Sequence, residues 1–211
     1  MPLYKTINYS PTTQILVWKI TESLEQLLQE VTLNPTNTIR FNGMKSALHQ
    51  RAFLSVRKLL QENNYTDFDL FYDETGKPNL LDGKHISISH SHEFSTIIIS
   101  NESVGIDIEK QREKSVKIAP KFIGDAEHHY LNQSDINSYI EGITILWGAK
   151  EAVFKICNEK GISFKNNIFV HPFELHDTKT TATLTMEHVS GTFQIFFESF
   201  EGFTLVYAFE E

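Results

Sequence analysis

Two stretches of this chain carry side chains that could do chemistry together. In Trp147-Gly148-Ala149-Lys150-Glu151-Ala152-Val153-Phe154-Lys155, Glu151 and Lys155 are four residues apart and share one face of a helix. In Val104-Gly105-Ile106-Asp107-Ile108-Glu109, apolar and acidic residues alternate as on a half-buried strand, so Asp107 and Glu109 point to the same side. Meeting in space, the three carboxylates would form a hard, oxygen-only site of the kind Mg²⁺ prefers, with Mn²⁺ as the other candidate. Each stretch alone has a plainer reading. Asp107 and Glu109 fit the solvated face of an edge strand. Glu151 and Lys155 fit a surface ion pair that stabilises by about 0.2–0.5 kcal/mol. Apolar residues nearly all round that helix (Ile140, Ile143, Leu146, Trp147, Val153, Phe154, Ile156) oppose the surface reading, because such density implies burial.

The elements that must position these groups follow from periodicity and turn chemistry. The carboxylate-bearing helix spans roughly residues 138–159, and the acidic strand spans 104–109. Upstream, residues 3–9 and 14–20 read as strands, with a short helix from Leu24 and a loop at Asn34-Pro35-Thr36-Asn37. Residues 44–63 form an amphipathic helix whose polar face carries Lys45, Arg51, Arg57 and Lys58. Strands follow at 68–72, 86–92 and 95–100, with a turn at Asp73 to Pro78. Beyond the acidic strand, Lys110, Arg112, Lys114, Lys117 and Lys121 form a basic run closed by Phe122 and Ile123. A helix from Gly124 to Leu131 comes next. The tail is β-like, at 181–189, 192–199 and 203–209. The expected class is α+β in two halves, 1–103 and 104–211, with the acidic strand at the seam.

Composition narrows the function. The 211 residues carry a net charge of −8, which argues against a general nucleic-acid binder. One cysteine, Cys157, excludes a disulfide within the chain and suits a reducing compartment. No apolar run reaches the roughly 20 residues of a membrane span, and the N-terminus lacks a signal-peptide core, so a cytoplasmic location is expected. Ser89-His90-Ser91-His92 with His128-His129 matches no standard zinc spacing.

The two opening stretches resemble the signature motifs of the 4′-phosphopantetheinyl transferases, (V/I)-G-(V/I)-D-x-E and (F/W)-(S/C/T)-x-K-E-(A/S)-x-x-K. Gly76-Lys77-Pro78 and Ile88-Ser89-His90-Ser91 precede them in the order seen in the monomeric, surfactin-synthetase-activating class. The likeness runs from about Gly76 to Lys155. It departs at Gly148, where the family has a small hydroxyl or thiol residue.

The resemblance implies two similar α+β halves related by pseudo-two-fold symmetry, in a monomer with coenzyme A in the cleft between them. It implies Mg²⁺ on Asp107, Glu109 and Glu151, and coenzyme A phosphates on Lys77, Ser89, His90 and Lys155. Glu151 and Lys155 would be the catalytic residues, with Glu151 or a metal-bound water taking the serine proton. Lysines must offset the carboxylate and diphosphate charge, and Lys150, Lys155 and Lys77 are the candidates; Lys45 and Arg51 are candidates for the 3′-phosphate. The Lys110–Ile123 region would dock an acidic apo carrier protein. The expected reaction moves the phosphopantetheine arm to a carrier serine and releases adenosine 3′,5′-bisphosphate. Two other functions are compatible with the same carboxylates. One is Mg²⁺-dependent phosphate-ester hydrolysis; the other is non-catalytic binding of coenzyme A or a carrier.

Overall fold

In the computed structural model, which describes residues 3–211, the chain divides into two compact units between Glu102 and Ser103. Each is an antiparallel sheet with helices, so the class is α+β.

In the first unit, β1 (Leu3–Ser10) and β2 (Thr13–Lys19) form a hairpin. Helix α1 (Leu24–Glu30) starts at a capping box, in which Ser23 accepts from the Gln26 N–H and the Gln26 side chain accepts from the Ser23 N–H. Helix α2 (Pro35–Asn42) occupies the segment expected to begin as a loop. Asn34 is its N-cap, accepting from the Asn37 N–H at 2.8 Å. Pro35 sits in the first turn, where its missing N–H costs nothing. The same Asn-Pro pair signals a turn or a helix start, and the cap decides here. Helix α3 (Ala47–Glu62) lies on β2, on β5 (His85–Ser91) and on β6 (Phe94–Ser100). With short β3 (Leu70–Tyr72) and β4 (Pro78–Leu80), the sheet order is β1-β2-β6-β5-β4-β3. Arg57, in the expected polar face of α3, is instead 2% exposed, and its Nε donates to Asp67 at 2.7 Å.

The second unit begins with β7 (Val104–Lys110), followed by α4 (Lys114–Ile118), a 3-10 turn at Ala119–Lys121 and α5 (Asp125–Tyr130). Helix α6 (Ile136–Cys157) starts at Asp135, which accepts from the Ser138 N–H. It stops where Asn158 turns left-handed, with φ 49°. Then come α7 (Phe164–Asn167), β8 (Ile168–Val170), β9 (Lys179–Thr185), β10 (Ser190–Phe200) and β11 (Phe203–Glu210). The sheet order is β7-β11-β10-β9-β8, with α6 across β7 and β11. No helix among the described residues is long and apolar enough to cross a membrane.

Candidate functional site

The site is built where α6 crosses β7. At 3.6 residues per turn, Gly148, Glu151, Ala152 and Lys155 fall on one face of α6. That face meets β7 and β11 at unusually close range, and two glycines allow it. A Cβ on Gly105 would stand 2.0 Å from the Ala152 carbonyl oxygen, so strand and helix touch backbone to backbone. A Cβ on Gly148 would stand 2.6 Å from Val206 Cγ2 and 3.8 Å from Asp107 Oδ2.

Gly148, the departure from the motif, therefore belongs with Val206 on β11. Gly148→Ser alone should lower the unfolding midpoint by pressing on Val206. Adding Val206→Ala should recover most of that loss, because the obstacle is a side chain; a double-mutant cycle by thermal melts measures the coupling. Additive losses would disprove the pairing.

Packing this close brings the acidic groups together. Asp107 is 4% exposed. Lys155 Nζ donates to Asp107 Oδ1 at 2.9 Å and to the Ile106 carbonyl at 2.7 Å, pinning the end of α6 to β7. Glu151 lies close enough to feel both strand carboxylates. Burial chiefly, then the Asp107 charge, push its pKa up to about 7; Lys155 opposes the rise and Glu109 adds to it. Asp107, Glu109, Glu151 and Lys155 thus form one electrostatically coupled group. Among the described residues, no three His, Cys, Asp or Glu side chains stand as a group that could hold a metal ion. The donor chemistry fits a hard divalent cation, since the three groups are carboxylates whose mutual repulsion a cation would relieve. Asp107 Oδ1 is at present held by an ammonium group.

Lys150 is not part of this group, against expectation. It projects from nearly the opposite side of α6 to Ala152, and is 0% exposed. Its three donors are taken by Glu127 Oε2 at 2.7 Å, the Phe164 carbonyl at 2.8 Å and the Ile168 carbonyl at 2.7 Å. A lysine so satisfied has no proton to offer a phosphate. Sequence reasoning missed Glu127. The signal was available: it stands at the third position of α5 and reaches back to the Gly124 N–H at 2.8 Å, as a capping acid does.

Beside the carboxylates, a cavity of about 110 Å³ is lined by Glu109, Lys110, Arg112, Phe122, Thr144 and Trp147. The basic run flanks it. Lys114, Lys117, Ile118 and Lys121 are exposed, whereas Phe122 is buried edge-on against Trp147 with ring centroids 4.9 Å apart. Phe122 and Ile123, which close the basic run, are therefore core residues.

The remaining expected site residues lie in the first unit. The Lys77 N–H donates to Asp73 Oδ1 at 3.0 Å in the turn before β4. Ser89 and His90 are neighbours on β5, one buried and one exposed, and the His90 ring lies 6.3 Å from that of His49 on α3.

A family model described as the 4′-phosphopantetheinyl transferase superfamily matches residues 103–207, the second unit almost end to end. Similar proteins include 4′-phosphopantetheinyl transferase gsp of Aneurinibacillus migulanus, 36% identical over 135 residues, covering 62% of this chain and 56% of that protein. 4′-Phosphopantetheinyl transferase Sfp of Bacillus subtilis is 31% identical over 106 residues, covering 49% and 47% respectively. Enterobactin synthase component D of Salmonella typhimurium is 30% identical over 116 residues, covering 54% and 45%. The chain spans about half the length of the curated relatives it matches. The matched segment contains the acidic strand, the close-packed helix and the coupled carboxylates, and through it the chain belongs to the 4′-phosphopantetheinyl transferase superfamily.

Proposed function

We propose that this protein transfers the 4′-phosphopantetheine arm of coenzyme A to a serine of an apo carrier protein. The observation that carries the reading is the coupling of half-buried Glu151 to Asp107 and Glu109, with Lys155 bonded to Asp107. A binding surface has no need of a charge cluster assembled at such electrostatic cost; a site that handles a diphosphate and a proton does.

Asp107, Glu109 and Glu151 would hold Mg²⁺, which when bound supplies charge neutralisation for the diphosphate and its leaving group. The chain's own residues do the rest. Lys155 offsets carboxylate charge and offers donors to phosphate oxygens. Lys77, Ser89 and His90 contact coenzyme A phosphates, by family likeness. The carrier serine Oγ forms a bond to the β-phosphorus, the bond from that phosphorus to the bridging oxygen breaks, and adenosine 3′,5′-bisphosphate leaves with the electron pair. Glu151 is the carboxylate assigned to take the serine proton.

Exposed Lys114, Lys117 and Lys121 make a positive patch on a chain of net charge −8, which fits an acidic carrier. Charge reversal at Lys117 and Lys121 should raise the KM for the carrier about tenfold and leave the KM for coenzyme A alone. Equal loss of both refutes docking there.

The direct test incubates the protein with coenzyme A, Mg²⁺ and an apo acyl carrier protein, and weighs the carrier. A gain of one phosphopantetheine arm, absent in Asp107→Ala, supports the proposal. Release of inorganic phosphate with an unmodified carrier would indicate a hydrolase instead.

A further inference from the structure

The buried pair Glu127–Lys150 lies outside the coupled carboxylates, and the chemistry proposed above does not use it. Ionised groups this deep are retained against a large desolvation cost. Here every polar atom is satisfied. Lys150 Nζ donates three times, to α5 through Glu127, to the first residue of α7 through the Phe164 carbonyl and to the start of β8 through the Ile168 carbonyl. Glu127 accepts from the Gly124 N–H at 2.8 Å and, through Oε1, from the Val170 N–H at 2.9 Å. One ion pair therefore fixes three things to the residue preceding Glu151: the start of α5, α7 and the edge strand β8.

The basic segment ends where this knot begins. Ile123 directly precedes Gly124, and Lys165 on α7 donates to the Pro120 carbonyl at 3.1 Å. Phe122 packs on Trp147, one turn of α6 before Lys150 and Glu151. On its other flank, the basic segment continues from β7, which carries Asp107 and Glu109.

We infer that Glu127 and Lys150 are positioning residues that hold the basic segment Lys110–Ile123 in register with Glu151, so that a carrier seated on the lysines presents its serine to the carboxylates. The inference rests on the proposed transferase reading for its partner. The mechanical part, that the pair fixes the segment, stands without it.

The test uses the full chain. In Glu127→Gln/Lys150→Met no charge is left buried. The glutamine carbonyl can still accept from Val170, and its amide can donate to a carbonyl that Lys150 vacates. This variant should fold with the circular-dichroism spectrum of the wild type. Hydrogen exchange should rise about tenfold or more at the amides of residues 114–123, with β10 and β11 unchanged. The KM for an apo acyl carrier protein should rise about tenfold, while the KM for coenzyme A stays within about twofold. Lys150→Arg keeps the charge but cannot aim one nitrogen at three converging acceptors, and should show the same split at smaller size. It remains the test should the double variant not fold. Unchanged exchange and unchanged KM values in either folded variant overturn the inference, as does an equal rise in both KM values. A wild-type protein that transfers nothing to the carrier defeats the functional reading instead, and hydrogen exchange still decides the mechanical part.

Discussion

Glu151→Gln should make the metal-free protein more stable at pH 8 while cutting transfer by about 10²–10⁴-fold. Burial and the Asp107 and Glu109 charges raise the Glu151 carboxyl from 4.5 to about 7. Below pH 4.5 the group is protonated whether the chain is folded or not, and folding is not penalised. Between 4.5 and 7 the unfolded chain releases the proton and the folded one keeps it, so stability falls by about 1.4 kcal/mol per pH unit. Above 7 both forms are ionised and the full penalty, about 3 kcal/mol, persists. Glutamine keeps the shape and removes the charge. Its melting temperature should exceed that of the wild type by roughly 6–12 °C at pH 8, with the difference vanishing near pH 4.5. Adding Mg²⁺ at pH 8 should raise the wild-type midpoint and leave the variant nearly unmoved, since a cation relieves the repulsion that glutamine has already removed. Equal stability of the two proteins at pH 8 would show that Glu151 does not sit against like charge, and the coupled site would fall with it.

That prediction was half legible in the sequence. Alternation gave the acidic strand and its shared face, and helical spacing put Glu151 beside Lys155. Neither could say that strand and helix meet, because burial depends on partners distant in the chain. The clue was glycine. Gly105 in a strand and Gly148 in a helix both cost local propensity, and both prove to be contact points between α6 and the sheet. Lys150 misled for a related reason. Adjacency to Glu151 in sequence suggests a shared site, yet successive helical residues point about 100° apart, and α6 has apolar neighbours on more than one side. Buried Arg57 shows the same limit: its partner Asp67 lies beyond the end of α3, invisible to a reading of that helix alone. Asn34-Pro35 misled because one dipeptide serves both turns and helix starts.

Gly105→Ala should be more damaging than any surface change on the second unit, with a loss of about 3 kcal/mol or more and a midpoint lowered by roughly 6–12 °C. The methyl group would stand 2.0 Å from the Ala152 carbonyl oxygen, 2.7 Å from its carbon and 3.0 Å from its Cα. All three are backbone atoms, so no rotamer change makes room, and α6 must lift from β7. Lifting separates Glu151 from Asp107 and strains the Lys155 bonds to Asp107 and Ile106. Transfer should fall about 10²-fold even at temperatures where the variant is folded, since a misplacement of about 1 Å has that effect on aligned groups. Ala152→Gly should fail to rescue it, because the Ala152 methyl is not among the three nearest obstacles. The contrast with Gly148 is diagnostic: there the obstacle is the Val206 side chain, and trimming it should restore the fit. If Ala152→Gly rescued Gly105→Ala as fully as Val206→Ala rescues Gly148→Ser, the contact between β7 and α6 would be one of side chains. The backbone seam that holds the carboxylates together would then not exist.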